Sequence, residues 1–467
     1  MKLFDTLRGR KIEYVPMREN QVRIYLCGPT VYDYGHLGHG RSAIVFDLLR
    51  RYLLYRGYDV VFVRNWTDID DKTIERAARE QVSVRELTQR FIEIYREDYA
   101  RLNILEPDFA PKPTDHIGDI IDFIARLFER GHAYELEDGV YYDISTFPEY
   151  GALSGQSLEE LRSGARVGVD ESKRNPGDFV LWKFEKPGEP AWDSPWGRGR
   201  PGWHIECSVM SKCFLGETFD IHCGGQDLIF PHHEDEIAQS RGAGYGFAAL
   251  WLHNGFLNID DEKMSKSLGN FFTLREAFER YSPPAVRYFL MSAHYRTPLN
   301  FSDENLVHAE NTLRRYNGFI RRIQSVADAP ARDGEPSCEE RTRPVLDLVG
   351  QAREGFEAGL DDDLNISRAL ASIADLVRGI HSIVDEDRLT PSGAAAVLEF
   401  MRRVDSVLGV FSFEQEMLPE EIERLIEERV RAREAKEYAR ADGIRDELLK
   451  RGIALEDHRN GTRWKRI

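Results

Sequence analysis

Cysteine is scarce in this chain: five residues in 467, an odd number. So sparse a set excludes a disulfide framework and fits a reducing compartment, the cytoplasm. Long apolar runs are missing, so no stretch reads as a membrane span, and Met1-Lys2-Leu3-Phe4-Asp5 does not read as a signal peptide. Internal repeats and low-complexity tracts are missing too, which excludes solenoid and compositionally biased classes. Net positive charge is also lacking: the formal balance is −17. That excludes indiscriminate polyanion binding and leaves room only for a nucleic acid held on a local basic patch. What remains is an ordinary globular composition, 42% hydrophobic and 31% charged, at a length that calls for two to four domains.

Residues 1–105 alternate between strand and helix patterns. A strand is expected near 21–27, a helix near 38–56, a second strand over Asp59-Val60-Val61-Phe62-Val63, and a further helix from about Asp71. This is half of a doubly wound, Rossmann-like α/β domain. Residues 106–200 break the rhythm and read as a connective insertion. It holds a helix near 117–130, short strands at Ala133-Tyr134-Glu135 and Val140-Tyr141-Tyr142, and a Gly/Pro/Trp-rich loop over 186–203. The sheet resumes over 201–262, with strands at Phe219–Cys223 and Leu250–His253 and a helix from Pro231 to about Arg241. A polar loop opens the segment 263–301. From 302 to 410 apolar residues recur at helical spacing in four segments, 302–326, 340–359, 364–385 and 393–408. After a linker at 411–418, residues 419–467 form a small α+β module: helices 419–435 and 437–451, then two strands flanking the hairpin signal Asn460-Gly461. From Arg440 to Ile467 eight Lys/Arg face five Asp/Glu, a local balance of +3 on an acidic chain.

Three constellations carry chemistry. Leu26-Cys27-Gly28-Pro29 and the following Gly35-His36-Leu37-Gly38-His39-Gly40 form a strand, a Gly/Pro turn and a helix N-terminus, a place that receives phosphate. The two histidines, three apart, stack on one side and can donate to a phosphoryl group; the plain alternative is two surface histidines beside a turn. Lys263-Met264-Ser265-Lys266-Ser267 places two ammonium groups in a loop that can fold over a triphosphate, or it is simply a solvated loop. Cys27, Cys207, His232 and Glu236 are soft and borderline metal donors, and His232 and Glu236 share a helix face at i, i+4. The alternative is two buried free cysteines and a salt-bridged helix face. His233 competes with His232 but, one residue round, is not expected to share Glu236's face. Cys213, Cys223 and Cys338 read as small hydrophobes.

His36-Leu37-Gly38-His39 and Lys263-Met264-Ser265-Lys266-Ser267 resemble the HIGH and KMSKS signatures of class I aminoacyl-tRNA synthetases. The likeness narrows with Cys27-Gly28-Pro29-Thr30-Val31-Tyr32-Asp33, Thr67-Asp68-Ile69-Asp70-Asp71-Lys72, Gly202-Trp203-His204-Ile205-Glu206-Cys207 and Phe230-Pro231-His232-His233-Glu234. Together these resemble the cysteinyl-tRNA synthetase family over essentially the whole chain. The resemblance implies ATP-dependent attachment of L-cysteine to tRNA(Cys) through an adenylate. It implies zinc on Cys27, Cys207, His232 and Glu236, and a cysteine pocket shaped by Thr67, Trp203, His222 and Asp227. Magnesium-bound ATP would lie along Gly35, His36, Gly38, His39 and Gly40 and under Lys263 and Lys266. Arg433, Asp442, Asp457 and Trp464 fall on anticodon-reading positions. The expected functional unit is a cytoplasmic monomer with no membrane attachment. Two departures stand out: Leu37 replaces isoleucine, and Cys223 stands where many relatives have glycine, as a stray ligand or an oxidation site. The competing reading is a ligase of mycothiol biosynthesis that joins cysteine to an aminosugar; residues 419–467 would have no role there.

Overall fold

The computed structural model describes residues 1–156, 172–259, 262–263, 272–329, 338–414, 420–458 and 461–466. Two compact units divide the chain, Met1–Ser412 and Phe413–Ile467. The larger opens with a hairpin, β1 (Lys2–Asp5) and β2 (Arg10–Glu13). The strand β3 (Gln21–Leu26), the helix α1 (Leu37–Tyr55) and the strand β4 (Asp59–Arg64) then form a βαβ unit, with β3 and β4 parallel from Gln21↔Asp59 to Leu26↔Arg64. Helices α2 (Asp71–Glu80), α3 (Val84–Arg101) and α4 (Ile117–Glu129) follow.

An antiparallel sheet comes next, with β5 (Ala133–Leu136), β6 (Gly139–Tyr142), β7 (Phe179–Phe184) and β8 (Gly199–Pro201) side by side in that order. Neither β7 nor β8 is expected from sequence. β8 lies inside the stretch expected to be loop, because a three-residue strand between Gly197 and Gly202 carries too little pattern to register. Helix α5 (Trp203–Leu215) leads back to β9 (Thr218–Gly225); a kinked turn, Ile229–His233, enters α6 (Glu234–Gly242), and β10 (Phe247–Asn254) completes the principal sheet.

That sheet is wholly parallel, in the order β10-β9-β3-β4. Chain order therefore reverses between β3 and β9, and in open α/β sheets ligands bind beyond the strands' carboxyl ends at such a point. The sheet is covered on both faces, so its strands read as nearly continuous apolar runs. Tyr25, Val63, Phe219 and Trp251 pack with Ile124 and Ile205, seating the inserted segment on one face.

β11 (Leu257–Ile259), β12 (Glu262–Lys263), α7 (Leu274–Arg280), α8 (Pro283–Met291) and β13 (Leu299–Phe301) lead into four helices: α9 (Asp303–Ala327), α10 (Cys338–Asp361), α11 (Ile366–Asp385) and α12 (Pro391–Leu408). A buried cation ties this region to α1. Arg287 of α8 donates to Asp47 of α1 (2.6 Å) and to the Leu408 carbonyl at the end of α12 (2.6 Å). Helix α1 is thus held from below by the sheet and from outside by α8 and α12.

The smaller unit pairs α13 (Glu420–Glu434) and α14 (Tyr438–Lys450) with a hairpin, β14 (Ile453–His458) and β15 (Gly461–Arg466). Ile422, Ile444, Leu448, Ile453 and Leu455 form its core. Arg433 and Asp442 are exposed on α13 and α14. In backbone register Asp457 faces Thr462, and Trp464 faces Leu455.

Candidate functional site

The turn between β3 and α1 begins with a constraint. A Cβ on Gly28 would lie 1.7 Å from the Asn65 carbonyl oxygen, so only glycine lets the strand end pass so close to β4. Asn65 locks the approach: its Oδ1 accepts from the Gly28 amide (2.8 Å). The chain then reaches His36, which caps α1. The His36 Nδ1 accepts from the His39 amide and the His39 Nδ1 accepts from the His36 amide, both at 3.3 Å. The rings stack at 3.6 Å with 21° between planes. The Tyr95 hydroxyl also lies 3.1 Å from His39 Nδ1. With both Nδ1 atoms accepting, each neutral ring carries its proton on Nε2. The helix therefore presents two N–H donors at its positive end.

Cys27 ends β3 on the other side of the same turn. Its Sγ lies 3.6 Å from Cys207 Sγ and 3.4 Å from Glu236 Oε1, and His232 Nε2 is 3.1 Å from that same oxygen. All four donor atoms lie within 4.8 Å of one another. A tetrahedral zinc sphere, with sulfur at about 2.3 Å and nitrogen or oxygen at about 2.0–2.2 Å, has donor–donor edges of roughly 3.3–3.8 Å. The residues fit such an ion in type and in spacing. Cys207, His232 and Glu236 are buried. Burial raises both thiols, with the thiol and carboxylate neighbours adding to it for Cys27, and burial holds His232 well below its ordinary value. A neutral imidazole and two thiols that ionise only beside a cation are what a metal pocket offers.

Outer partners orient the ring and the carboxylate. His232 Nδ1 faces His204 Nδ1 at 2.8 Å, and His204 Nε2 lies 3.3 Å from Asp235 Oδ2. Burial lowers His204 to about 3. A neutral His204 that keeps its proton toward Asp235 accepts from His232 Nδ1–H, which leaves the His232 Nε2 lone pair facing the quartet. His222 Nε2 donates to Glu236 Oε2 at 2.8 Å, leaving Oε1 to face Cys27 and His232. Sequence reasoning did not single out His204, which has no periodic signal of its own; only the fold brings it to His232.

Three expectations need correcting. His233 does share a face with Glu236: residues three apart on a helix differ by about 60°, and His233 Nε2 sits 3.9 Å from Glu236 Oε1. Cys27, His222, His233 and Glu236 form a second, overlapping quartet. Cys223 is not a stray ligand among the described residues. It alternates with His222 along β9, so its buried thiol points to the other face of the sheet, and it joins neither quartet. Cys213, expected as a small hydrophobe, is exposed.

A cavity of about 370 Å³ joins the two ends of the turn. Cys27, His36, His39, Trp203, Asp227 and Gly255 are among its lining residues. Trp203, 38% exposed, stacks on His232 at 4.3 Å. Thr67 is buried behind the turn, its hydroxyl 3.2 Å from Asn65 Nδ2. His222 is fully buried and stacks on Trp251 at 4.5 Å. Gly224 passes so near His233 that a Cβ there would lie 2.6 Å from the ring. Lys263 closes β12 by its backbone, and Lys266 lies outside the described residues.

The catalytic-domain family described as tRNA synthetases class I (C) matches residues 13–311; a DALR domain matches 355–412, and a cysteinyl-tRNA ligase anticodon-binding domain matches 416–464. A cysteine–tRNA ligase of Trichlorobacter lovleyi is 48% identical over 487 aligned residues, covering 100% of this chain and 99% of that protein. The chain belongs to the cysteine–tRNA ligase family. The family's likeness extends to archaea: the Thermococcus onnurineus ligase is 47% identical, covering 100% of this chain and 99% of its own. The fold is shared more widely. The Mycobacterium tuberculosis methionyl-tRNA synthetase bound by methionyl-adenylate superposes with a TM-score of 0.66 at 17% identity, covering 83% of this chain and 92% of that one. No helix among the described residues is long and apolar enough to cross a membrane.

Proposed function

We propose that this protein activates L-cysteine with ATP and transfers it to tRNA(Cys), with zinc held by Cys27, Cys207, His232 and Glu236. The observation that carries the reading is one strand–turn–helix that ends in Cys27 of the metal-type quartet on one side and in the paired His36 and His39 on the other, all three lining one cavity. An amino acid anchored by its side chain at Cys27 directs its carboxylate toward a nucleotide lying at the start of α1.

The carboxylate attacks the α-phosphorus of ATP and pyrophosphate leaves in line; magnesium bound with ATP would offset charge on the phosphates. His36 and His39 donate through Nε2 to phosphoryl oxygens as charge builds there. We assign Lys263 and Lys266 to the leaving phosphates. Thr67, Trp203, His222 and Asp227 shape the amino-acid end; Asp227, exposed at the cavity wall, suits the substrate ammonium. A tRNA 2′-hydroxyl then attacks the adenylate carbonyl and AMP leaves. Zinc supplies a soft Lewis acid that favours a thiolate over the near-isosteric serine hydroxyl. Of the two overlapping quartets, the one with two thiolates suits zinc better, and His222 and His233 then serve as outer supports. In the smaller unit Arg433, Asp442, Asp457 and Trp464 are the residues we assign to anticodon reading. The anticodon-binding match over 416–464 is what the aminosugar-ligase reading leaves without a purpose.

The test is cysteine-dependent ATP–pyrophosphate exchange on metal-assayed protein, with serine in parallel and charging of tRNA(Cys) in the same samples. Exchange and charging with cysteine, one zinc per chain and no exchange with serine are expected. Undiminished cysteine selectivity after zinc removal would overturn the metal assignment.

A further inference from the structure

Among the residues that line the cavity is the last residue of β4, the cation Arg64. It is 2% exposed, and its guanidinium lies 5.2 Å over the Trp66 ring and 4.6 Å over the Tyr99 ring. Among the described residues its guanidinium has no hydrogen-bond partner and no ion pair, and Nε is buried without one. The nearby acids are otherwise engaged or distant: Asp47 is held by Arg51 (2.8 Å) and Arg287 (2.6 Å), and Glu106 contributes only its field. Aromatic faces soften the cost of a buried cation, but they satisfy none of its five N–H donors. Burial lowers the pKa of the group, and the fields of Tyr99, Glu106 and Asp47 oppose that without reversing it. A buried charge without a partner is a standing cost to a folded protein.

Arg64 lines the same cavity as Cys27 and His39. The box around it leads back to the helix start: Trp66 and Tyr99 pack on Tyr95 at 5.8 and 5.7 Å, and the Tyr95 hydroxyl meets His39 Nδ1. We propose that Arg64 forms an oxyanion subsite in the cavity, completed only when a phosphoryl or carboxylate oxygen of a bound substrate pairs with its guanidinium. This rests on the reading that the cavity takes ATP and an amino acid. The ligand supplies a partner that the described residues do not, so the charge costs stability in the free chain and is compensated in the complex.

Two variants and two ligand pairs test it. Arg64→Met removes the charge at similar volume, and Arg64→Lys keeps it. Equilibrium binding is measured for AMP against adenosine, which isolates the phosphate, and for L-cysteine against cysteamine, which isolates the carboxylate. In Arg64→Met at least one of these anion preferences falls by about 10-fold, the scale of one hydrogen-bonded charge pair. The pair that falls identifies the source of the oxyanion. Arg64→Lys keeps the preference within about threefold, and the ligand-free melting temperature of Arg64→Met equals or exceeds that of the parent. Unchanged preferences in Arg64→Met overturn the subsite. So does a variant that melts earlier or does not fold, because Arg64 would then be a structural cation. If the parent protein binds neither AMP nor cysteine, it is the functional reading that fails, and the subsite falls with it.

Discussion

Two histidine groups lie on either side of the cavity, and they differ in everything but residue type. His36 and His39 sit half-exposed at a helix N-terminus, and their Nδ1 atoms are occupied by backbone amides. His204, His232, His233 and His253 are packed together in the interior, and burial holds all four below the usual imidazole range. The first group offers protons outward to an anion. The second is kept neutral, so that its nitrogen lone pairs and N–H groups form an ordered chain around a metal-type quartet. Local structure decides the first case, and tertiary burial decides the second.

Substitutions that affect one side only sharpen the contrast. Cys207→Ala should give the largest effect: zinc content falls to background and cysteine-dependent exchange goes beyond the roughly 100-fold loss that an outer partner costs. Adenosine binding should be unchanged; a parallel loss there would show that the two sides are one structural unit. His39→Ala should lower the exchange rate about 10²–10³-fold, the cost of a donor aimed at developing charge, while zinc stays at one per chain. Metal loss in that variant would break the distinction from the other direction. His204→Ala, which removes the partner of His232 Nδ1, should weaken zinc affinity about 10- to 100-fold by competition with a chelator, with a smaller effect on exchange at saturating metal.

A prediction of a different kind concerns acid stability. His253 is buried, with Nδ1 on Thr6 (2.7 Å) and Nε2 on His233 (2.8 Å), and burial lowers it to about 3. The unfolded chain binds a proton at this residue below about pH 6.5, and the folded chain does not until about pH 3. Stability is therefore fully present above pH 6.5 and falls by about 1.4 kcal/mol per unit as pH drops through that window. His253→Gln should melt with a shallower pH dependence between pH 6.5 and 4; equal slopes for parent and variant would remove His253 from the account.

Much of this site is readable in one dimension. β3, the Gly/Pro turn and α1 are contiguous, and the turn chemistry is written in Gly28, Gly35 and the spaced histidines. The long helices α9 to α12 declare themselves by period. Helix α5, which delivers Cys207, does not. Residues Ile205 to Ser211 are buried all round, so they show no alternation of apolar and polar faces for a reader to detect. The face shared by His233 and Glu236 is missed for a simpler reason: on a helix a step of three residues returns almost as closely as a step of four. The pairing of His204 with His232, 28 residues apart, depends on how α5 and α6 pack and is written in no local pattern.

The distance along the chain between Cys27 and Cys207 has a consequence for synthesis. Their sulfurs meet across a sequence separation of 180, and Glu236 comes later still. At ~5–20 residues per second, Cys27 leaves the ribosome roughly 10 to 40 s before its partner thiol exists. During that interval the nascent chain carries an unpaired thiol at the end of an unfinished sheet. The four donors can come together only after the helices that carry Cys207 and Glu236 have packed beside β3, so a complete quartet marks a catalytic half whose assembly is finished.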